Sequence, residues 1–317
     1  MGGIVNEPIP HTPPAALPGC WWHPSRQTGL SCTRCGRPAC PDCLREAAVG
    51  AQCIDCVQAG RREHETSRRQ HRALGHGART IAGARVSSRL VVTPVLIALN
   101  VLVYAITAVE AHDPMNNRLS SLFNAWVLWP PGIAGGEWWR LLTAGFLHYG
   151  PIHLVVNMFS LWIIGRELEV LLGKVRYLAL YGLSLLGGSV LVYLFGAFDG
   201  PTAGASGAIY GLLGGILVAV LRLRLNPVPA IGTIVLNLII TVTLPNISLF
   251  GHLGGLVVGA LATAALVYAP EKNRVAWQSG ALAVLLVALL GVFFLRDAQL
   301  ASVVCTGSGA GLQCSAP

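Results

Sequence analysis

From residue 90 to residue 295 the chain is a succession of apolar runs, each close to the ~20 residues that carry a helix across a bilayer. Seven are legible, at about 90–109, 152–169, 177–197, 205–221, 229–245, 249–269 and 276–295. Lipid offers no water to open backbone groups, so runs of this kind must close their hydrogen bonds internally, as helices. The fold class expected is therefore an all-α polytopic membrane protein. Composition agrees: 11% of the 317 residues are charged, against roughly 25% in a soluble domain. The first nineteen residues hold no apolar stretch of the signal-peptide kind, so no cleaved leader is expected.

Charge orients the spans. Residues 1–89 carry twelve of the twenty-two Lys and Arg. With a cytoplasmic N-terminus, the inner loops hold Arg166, Lys174, Arg176, Arg222, Arg224, Lys272 and Arg274, and the outer segments only Arg118, Arg140 and Arg296. Seven against three fits the positive-inside rule for seven spans, with the C-terminus outside. The organisation expected is a disordered segment at 1–19, a metal-binding module at 20–57, a basic cytoplasmic linker at 58–89, the membrane domain at 90–295 and an outer tail at 296–317.

The module rests on four pairs: Cys20-x2-His23, Cys32-x2-Cys35, Cys40-x2-Cys43 and Cys53-x2-Cys56. Seven Cys and one His are the eight ligands of two tetrahedral zinc sites. On the reducing cytoplasmic side, metal ligation is favoured over disulfides. So small a segment has little apolar core, and metal binding should supply its folding energy. Sequential pairing would put Cys20, His23, Cys32 and Cys35 on one metal. Cross-bracing would join the first pair to the third and the second to the fourth. Both satisfy the coordination, and the cross-brace closes longer loops. The segment resembles a B-box or RING-like zinc module, which implies the cross-brace. The linker after it reads as a flexible basic tether near anionic headgroups. It lacks interleaved aromatics, so nucleic-acid binding is not expected. An unknown protein partner of the module is allowed by the sequence.

Polar groups inside spans are site candidates. The second span begins "HYGPIHLVVNMFS", with His148, His153 and Asn157. The fourth opens on "GASGAIYG", with Gly204, Ser206 and Tyr210. The sixth opens on "SLFGHLGGLVVG", with His252. All three enter from the outer face, so their first turns should share one depth. Gly255 and Gly259 form GxxxG on the face of His252, and Gly207, Gly211 and Gly214 form a stripe on the fourth span. Small residues admit close helix approach, which can bring Ser206 within reach of His252. A serine hydrogen-bonded to a histidine is an activated nucleophile. A helix start at Ser206 would offer free N–H groups to an oxyanion. His153 and Asn157 can donate further bonds, and Tyr210, one turn on, can stack on the imidazole. No acid accompanies the pair, so a dyad is expected rather than a triad. Asn100 and Asn237 read as interhelical glue. In the outer tail Cys305 and Cys314 are expected to form a disulfide, since bridges persist there.

Over residues 90–295 these motifs resemble the rhomboid intramembrane serine proteases. The resemblance implies a six-helix core with one extra C-terminal helix. It puts the nucleophile on Ser206 and the general base on His252, with no cofactor for catalysis. It also implies oxyanion support from His153 and Asn157, with His148 near the mouth of the site. "EWWRLL" supplies a Trp139–Arg140 pair whose implied role is to anchor the first outer loop. The fifth span becomes a lateral gate, and a small residue is expected before the cut bond. Substrates would be membrane proteins whose transmembrane segment can unwind near the outer face of a bacterial plasma membrane. The zinc module in front is similar to that of actinobacterial members. Two rival readings are a non-catalytic relative that binds membrane clients and a transporter. The first lacks its usual signature, a missing Ser or His. The second lacks inverted repeats and intramembrane charge.

Overall fold

The structure is a computed structural model. It describes residues 16–47, 50–73, 79–85, 89–245 and 247–300, and the backbone of two short strands at 304–306 and 313–315. The expected disorder of the N-terminus falls largely on residues 1–15, outside the described residues. The chain divides into two compact units, Met1–Arg68 and Arg69–Pro317.

The first unit is built from turns. Strands β1 (Leu44–Glu46) and β2 (Ala51–Cys53) pair antiparallel, with Leu44 opposite Cys53. Helix α1 (Ile54–Ala73) follows directly. The buried cluster is Cys20, Ala39, Cys40 and Cys43, with Trp22 and Leu44 against it. The stretch expected as a tether is thus helical as far as Ala73. Its Arg, Gln and Glu are helix formers without a proline to stop them, and Glu63 takes both carboxylate bonds to Arg34 at 2.9 and 3.0 Å.

The second unit is helical. Helix α2 (Val92–Ala111) leads into a loop with three short helices, α3 (Ser121–Trp126), α4 (Pro130–Ala134) and α5 (Arg140–Thr143). Then come α6 (Gly150–Leu172), α7 (Lys174–Phe195), α8 (Ser206–Arg222), α9 (Val228–Thr243), α10 (Leu249–Val267) and α11 (Arg274–Leu300). Helices α2, α7, α10 and α11 are long and apolar enough to cross a membrane, and α8 and α9 are shorter apolar helices. Helix α6 has 23 residues and carries Arg166, Glu167 and Glu169 near its end. Together these helices fall on the seven apolar runs. Val155, Val156 and Phe159 of α6 and Val284 and Val287 of α11 are exposed, as expected of a surface solvated by lipid.

Helix ends are fixed by local chemistry. Glu169 of α6 accepts the N–H groups of Val91, Val92 and Thr93 at 2.6–2.9 Å, capping α2 with a carboxylate from another helix. Ser248 caps α10 by accepting the Gly251 N–H at 3.1 Å. The segment 79–85, expected to belong to the tether, packs in this unit. Ala82 is buried, and its carbonyl accepts from Gln278 of α11 at 2.9 Å.

Helices α8 and α10 touch backbone to backbone. A Cβ on Gly255 would strike the Gly207 carbonyl, and one on Gly259 the Gly211 backbone. Helix α9 is loosely packed: of its 16 residues, Ile234 and Thr241 are buried. Beyond α11, strands β3 (Val304–Thr306) and β4 (Gln313–Ser315) pair with Cys305 opposite Cys314. The side chains of the expected bridge lie outside the described residues.

Candidate active site and metal centres

Three elements deliver the polar groups to one depth. The loop before α8 is pinned by two backbone bonds between Leu128 and Thr202, at 3.0 and 2.8 Å, and by Gly204 N–H to the Ala144 carbonyl at 3.0 Å. Gly204 has φ +133°, and a Cβ there would approach His153 Cε1 to 2.8 Å and Nε2 to 3.0 Å. Glycine is therefore required at this point, and it lets the chain turn into α8 with Ser206 as its first residue. The first backbone bond of the turn is Ile209 N–H to Ala205 O. The N–H groups of Ser206, Gly207 and Ala208 have no intrahelical acceptor.

The glycine contact between α8 and α10 places His252 Nε2 2.9 Å from Ser206 Oγ. The Tyr210 ring stacks on the imidazole, with centroids 3.9 Å apart and 12° between planes. Both His252 and Tyr210 are buried. The sequence reading missed the group on the other side of the ring. Thr241 Oγ1 of α9 lies 2.7 Å from His252 Nδ1 and 2.7 Å from the Tyr210 hydroxyl, and 2.9 Å from the Asn237 carbonyl. Thr241 has one proton, and the carbonyl can only accept it. Its oxygen then accepts from Tyr210 O–H and from His252 Nδ1–H. This proton count assigns the tautomer: Nε2 is left with a lone pair facing the Ser206 hydroxyl.

His153 Nδ1 accepts the Tyr149 N–H at 3.2 Å. The proton of the neutral ring therefore sits on Nε2, the nitrogen beside Gly204. Asn157 Nδ2 donates to the His153 carbonyl of its own helix at 2.9 Å. Asn100 and Asn237 likewise donate to Leu96 O and Thr233 O within their own helices. His148 is not at a mouth. It is fully buried, edge-on to His153 with centroids 5.1 Å apart, and its ring nitrogens have no partner among the described residues. The cause is Asn117, which takes the His148 carbonyl at 2.9 Å and the Gly150 N–H at 3.2 Å and draws the turn inward. Arg140 is buried, bound to Glu137 at 2.6 Å and to the Asn124 and Val127 carbonyls at 2.7 and 2.9 Å. Half-exposed Trp139 donates to the Ala125 carbonyl at 3.1 Å. Both tie down the loop that pairs with Thr202. A cavity of about 40 Å³ adjoins Ser206, lined by Gly145, Gly188, Ser189 and Ser248 together with Leu128, Leu185 and Val192.

In the first unit the eight Cys and His side chains form two quartets. Cys20, His23, Cys40 and Cys43 make one, and Cys32, Cys35, Cys53 and Cys56 the other. The first pair thus joins the third and the second joins the fourth, as in a cross-brace. Tight turns present three of the pairs, as where Cys43 N–H meets the Cys40 carbonyl and Gly36, at φ +73°, closes the turn after Cys32; Cys53 and Cys56 flank the start of α1. A tetrahedral zinc would set its S–S edges near ~3.8 Å and its S–N edges near ~3.6 Å. Cys35 and Cys53 sulfurs are 3.8 Å apart, and His23 Nδ1 is 3.9, 3.5 and 3.4 Å from the sulfurs of Cys20, Cys40 and Cys43. The donor set fits. Burial opposes ionisation of Cys20, yet backbone hydrogen bonds from Cys40, Trp22 and His23 bring its thiol down to about 6. Cys32 is likewise lowered to about 6, against burial, by bonds from Cys53, Cys35 and Arg34. Burial, then crowding by neighbouring thiols, pushes Cys43 and Cys56 up to about 12. Each quartet holds one thiol that ionises readily and another that would lose its proton to solvent on binding a metal cation.

An integral membrane protein with a serine–histidine pair sunk among its helices is the class these features define. The Rhomboid domain family matches residues 135–269, which hold every polar group of the membrane site. The chain is 42% identical over 139 residues to rhomboid protease GluP of Bacillus subtilis, covering 42% of this chain and 27% of that one. It is 36% identical over 154 residues to RHOMBOID-like protein 4 of Arabidopsis thaliana, covering 47% and 39%. To the Bacillus subtilis protein YdcA it is 37% identical over 147 residues, covering 45% of this chain and 74% of YdcA. The chain belongs to the rhomboid family. It spans under half the length of the first two of these relatives.

Proposed function

We propose that the chain is an intramembrane serine endopeptidase in which Ser206 is the nucleophile and His252 the general base. The observation that carries this reading is the 2.9 Å contact from Ser206 Oγ to His252 Nε2, at a helix N-terminus, with the imidazole proton fixed on Nδ1 by Thr241. His252 takes the hydroxyl proton as Oγ attacks the scissile carbonyl carbon. The oxyanion is received by open N–H groups of the first turn of α8 and by His153 Nε2–H, with Asn157 joining once its amide turns from its own helix. The imidazolium then gives its proton to the leaving amine, and water, activated by the same ring, hydrolyses the acyl-enzyme. Tyr210 and Thr241 hold the ring through both transfers.

The small cavity beside Ser206 fits a small side chain before the cut bond. The substrates are membrane proteins whose transmembrane segment unwinds at the depth of Ser206, entering past loosely packed α9. Ser206 lies toward the outer face of a bacterial plasma membrane. The N-terminus, with two structural zinc ions, is on the cytoplasmic side, and the C-terminus is outside. Zinc bound by the eight ligands supplies folding energy to the first unit and takes no part in hydrolysis. A fluorophosphonate probe tests the reading: it should label full-length protein in detergent at Ser206, and not Ser206→Ala. Equal labelling of the two proteins, or turnover by purified Ser206→Ala, ends it.

A further inference from the structure

A second cavity, of about 280 Å³, lies at the other end of the bundle from Ser206, where α6 ends and α7 begins. Its lining brings together four cations. Arg85 and Arg89 come from the segment leading into α2, and Lys174 and Arg176 from the first turn of α7. The one acid in the lining is Glu169, whose carboxylate is taken up by the three N–H groups at the start of α2. Arg176 meets the neutral amide of Gln278 at 2.8 Å instead of a carboxylate. Lys174 and Arg85 have no side-chain partner among the described residues. Arg274, whose guanidinium lies against Gly83, is already ion-paired with Glu271 at 3.6 Å. With Lys174 and Arg85 unpaired among the described residues and Arg176 on a neutral amide, the hollow favours an anion within it. Arg85 and Arg89 are exposed and Lys174 and Arg176 half-buried, so an anion can enter from outside.

Gly173 and the uncapped start of α7 form one wall of the same hollow. Guanidinium and ammonium groups beside a helix start are the chemistry that receives phosphate. The hollow sits level with the ends of apolar helices, the depth of phospholipid headgroups.

We propose that this cavity binds a phosphate ester, carried either by an anionic phospholipid of the leaflet at that face or by a soluble small molecule. Its depth favours the lipid. The site is separate from the Ser206 pair, and its test does not depend on proteolysis. Full-length protein in detergent is titrated with phosphatidylglycerol, phosphatidylcholine and glycerol 3-phosphate, and bound molecules are counted by native mass spectrometry. One phosphatidylglycerol should be held in preference to phosphatidylcholine. The double variant Arg85→Gln, Lys174→Gln should weaken it by about thirtyfold, the effect of two charges near a membrane surface. The charge-keeping pair Arg85→Lys, Lys174→Arg should retain it. Neutralising Arg166 and Lys272, at the same end but outside the cavity, should leave it unchanged. Displacement of the lipid by millimolar glycerol 3-phosphate, with binding of that ester alone, would assign the soluble source. Equal loss in the two neutralised pairs, or equal retention of phosphatidylcholine, overturns the proposal.

Discussion

In the Met1–Arg68 unit, the buried cluster is three cysteines and one alanine. In the Arg69–Pro317 unit, the core includes Tyr177, Leu161, Leu168, Leu212 and Leu266, and helices meet through glycine backbones. Both units collect histidine with small nucleophilic side chains, and the surroundings decide what those groups do. Among thiols spaced for a tetrahedron, His23 Nδ1 is placed to serve as a metal ligand. Between α8 and α10, which meet through glycine backbones, His252 faces the Ser206 hydroxyl instead. Under the proposed function, one histidine serves chemistry where the fold does not need it and the other serves the fold.

The strongest way to break that contrast is to remove the pair itself. Ser206→Ala or His252→Ala should lower kcat/KM on a transmembrane substrate by at least about 10⁴-fold, as in soluble serine proteases. The thermal unfolding of the membrane unit should stay unchanged. Coupled loss of folding and activity would show that the pair is structural. Asn157→Ala should cost less, about a hundredfold in kcat, the scale of one lost oxyanion donor. An unchanged kcat would leave Asn157 bonded to its own helix throughout the reaction.

The depth at which polar groups meet was legible because three motifs open three alternate helices. Ser206, His252 and the glycines between them stand out against leucine and valine. Thr241 did not. A threonine in an apolar helix ordinarily bonds the carbonyl four residues back, and Thr241 does so; only the packing of α9 reveals its second and third partners. The inward turn of His148 was hidden for a similar reason, since Asn117 is thirty-one residues away in sequence. The eight metal-site residues were plain from their spacing. Their pairing was not, because both groupings satisfy a tetrahedron, and the turns around Gly36 and Cys40 had to be folded before the alternate pairs met.

Thr241 sharpens the comparison, because in the proposed mechanism it acts through His252 and touches no substrate. Thr241→Val keeps the shape and removes the acceptor for Nδ1–H. It should lower kcat by about tenfold to a hundredfold, a fraction of what a general base supplies, with KM little changed. Thr241→Ser should restore most of the rate. Equal losses in Val and Ser variants would mean that the methyl group, and so the seating of α9, is what matters.

The smallest expected effect is the one that most directly separates the two units. Metal analysis of protein purified without chelator should find two zinc ions per chain, and a count near zero would remove the assignment. Cys43→Ser or Cys53→Ser takes one ligand from one quartet. With little apolar core to fall back on, the first unit should lose its order and become open to protease. The groups of the proposed membrane site belong to the other unit. Its glycine contacts, its capped α2 and the Thr241–His252–Ser206 line all lie within residues 69–317. Cleavage of a model substrate in detergent should therefore stay within about twofold of the parent, less than the free-energy change of one weak hydrogen bond. A chain beginning at residue 79 should behave alike. A cut further on would remove Ala82, whose carbonyl holds Gln278 of α11, and would test packing instead. If a chain that inserts and unfolds normally without its zinc unit no longer cleaves, the first unit acts on the second, and the division of labour between ligand histidine and catalytic histidine is incomplete.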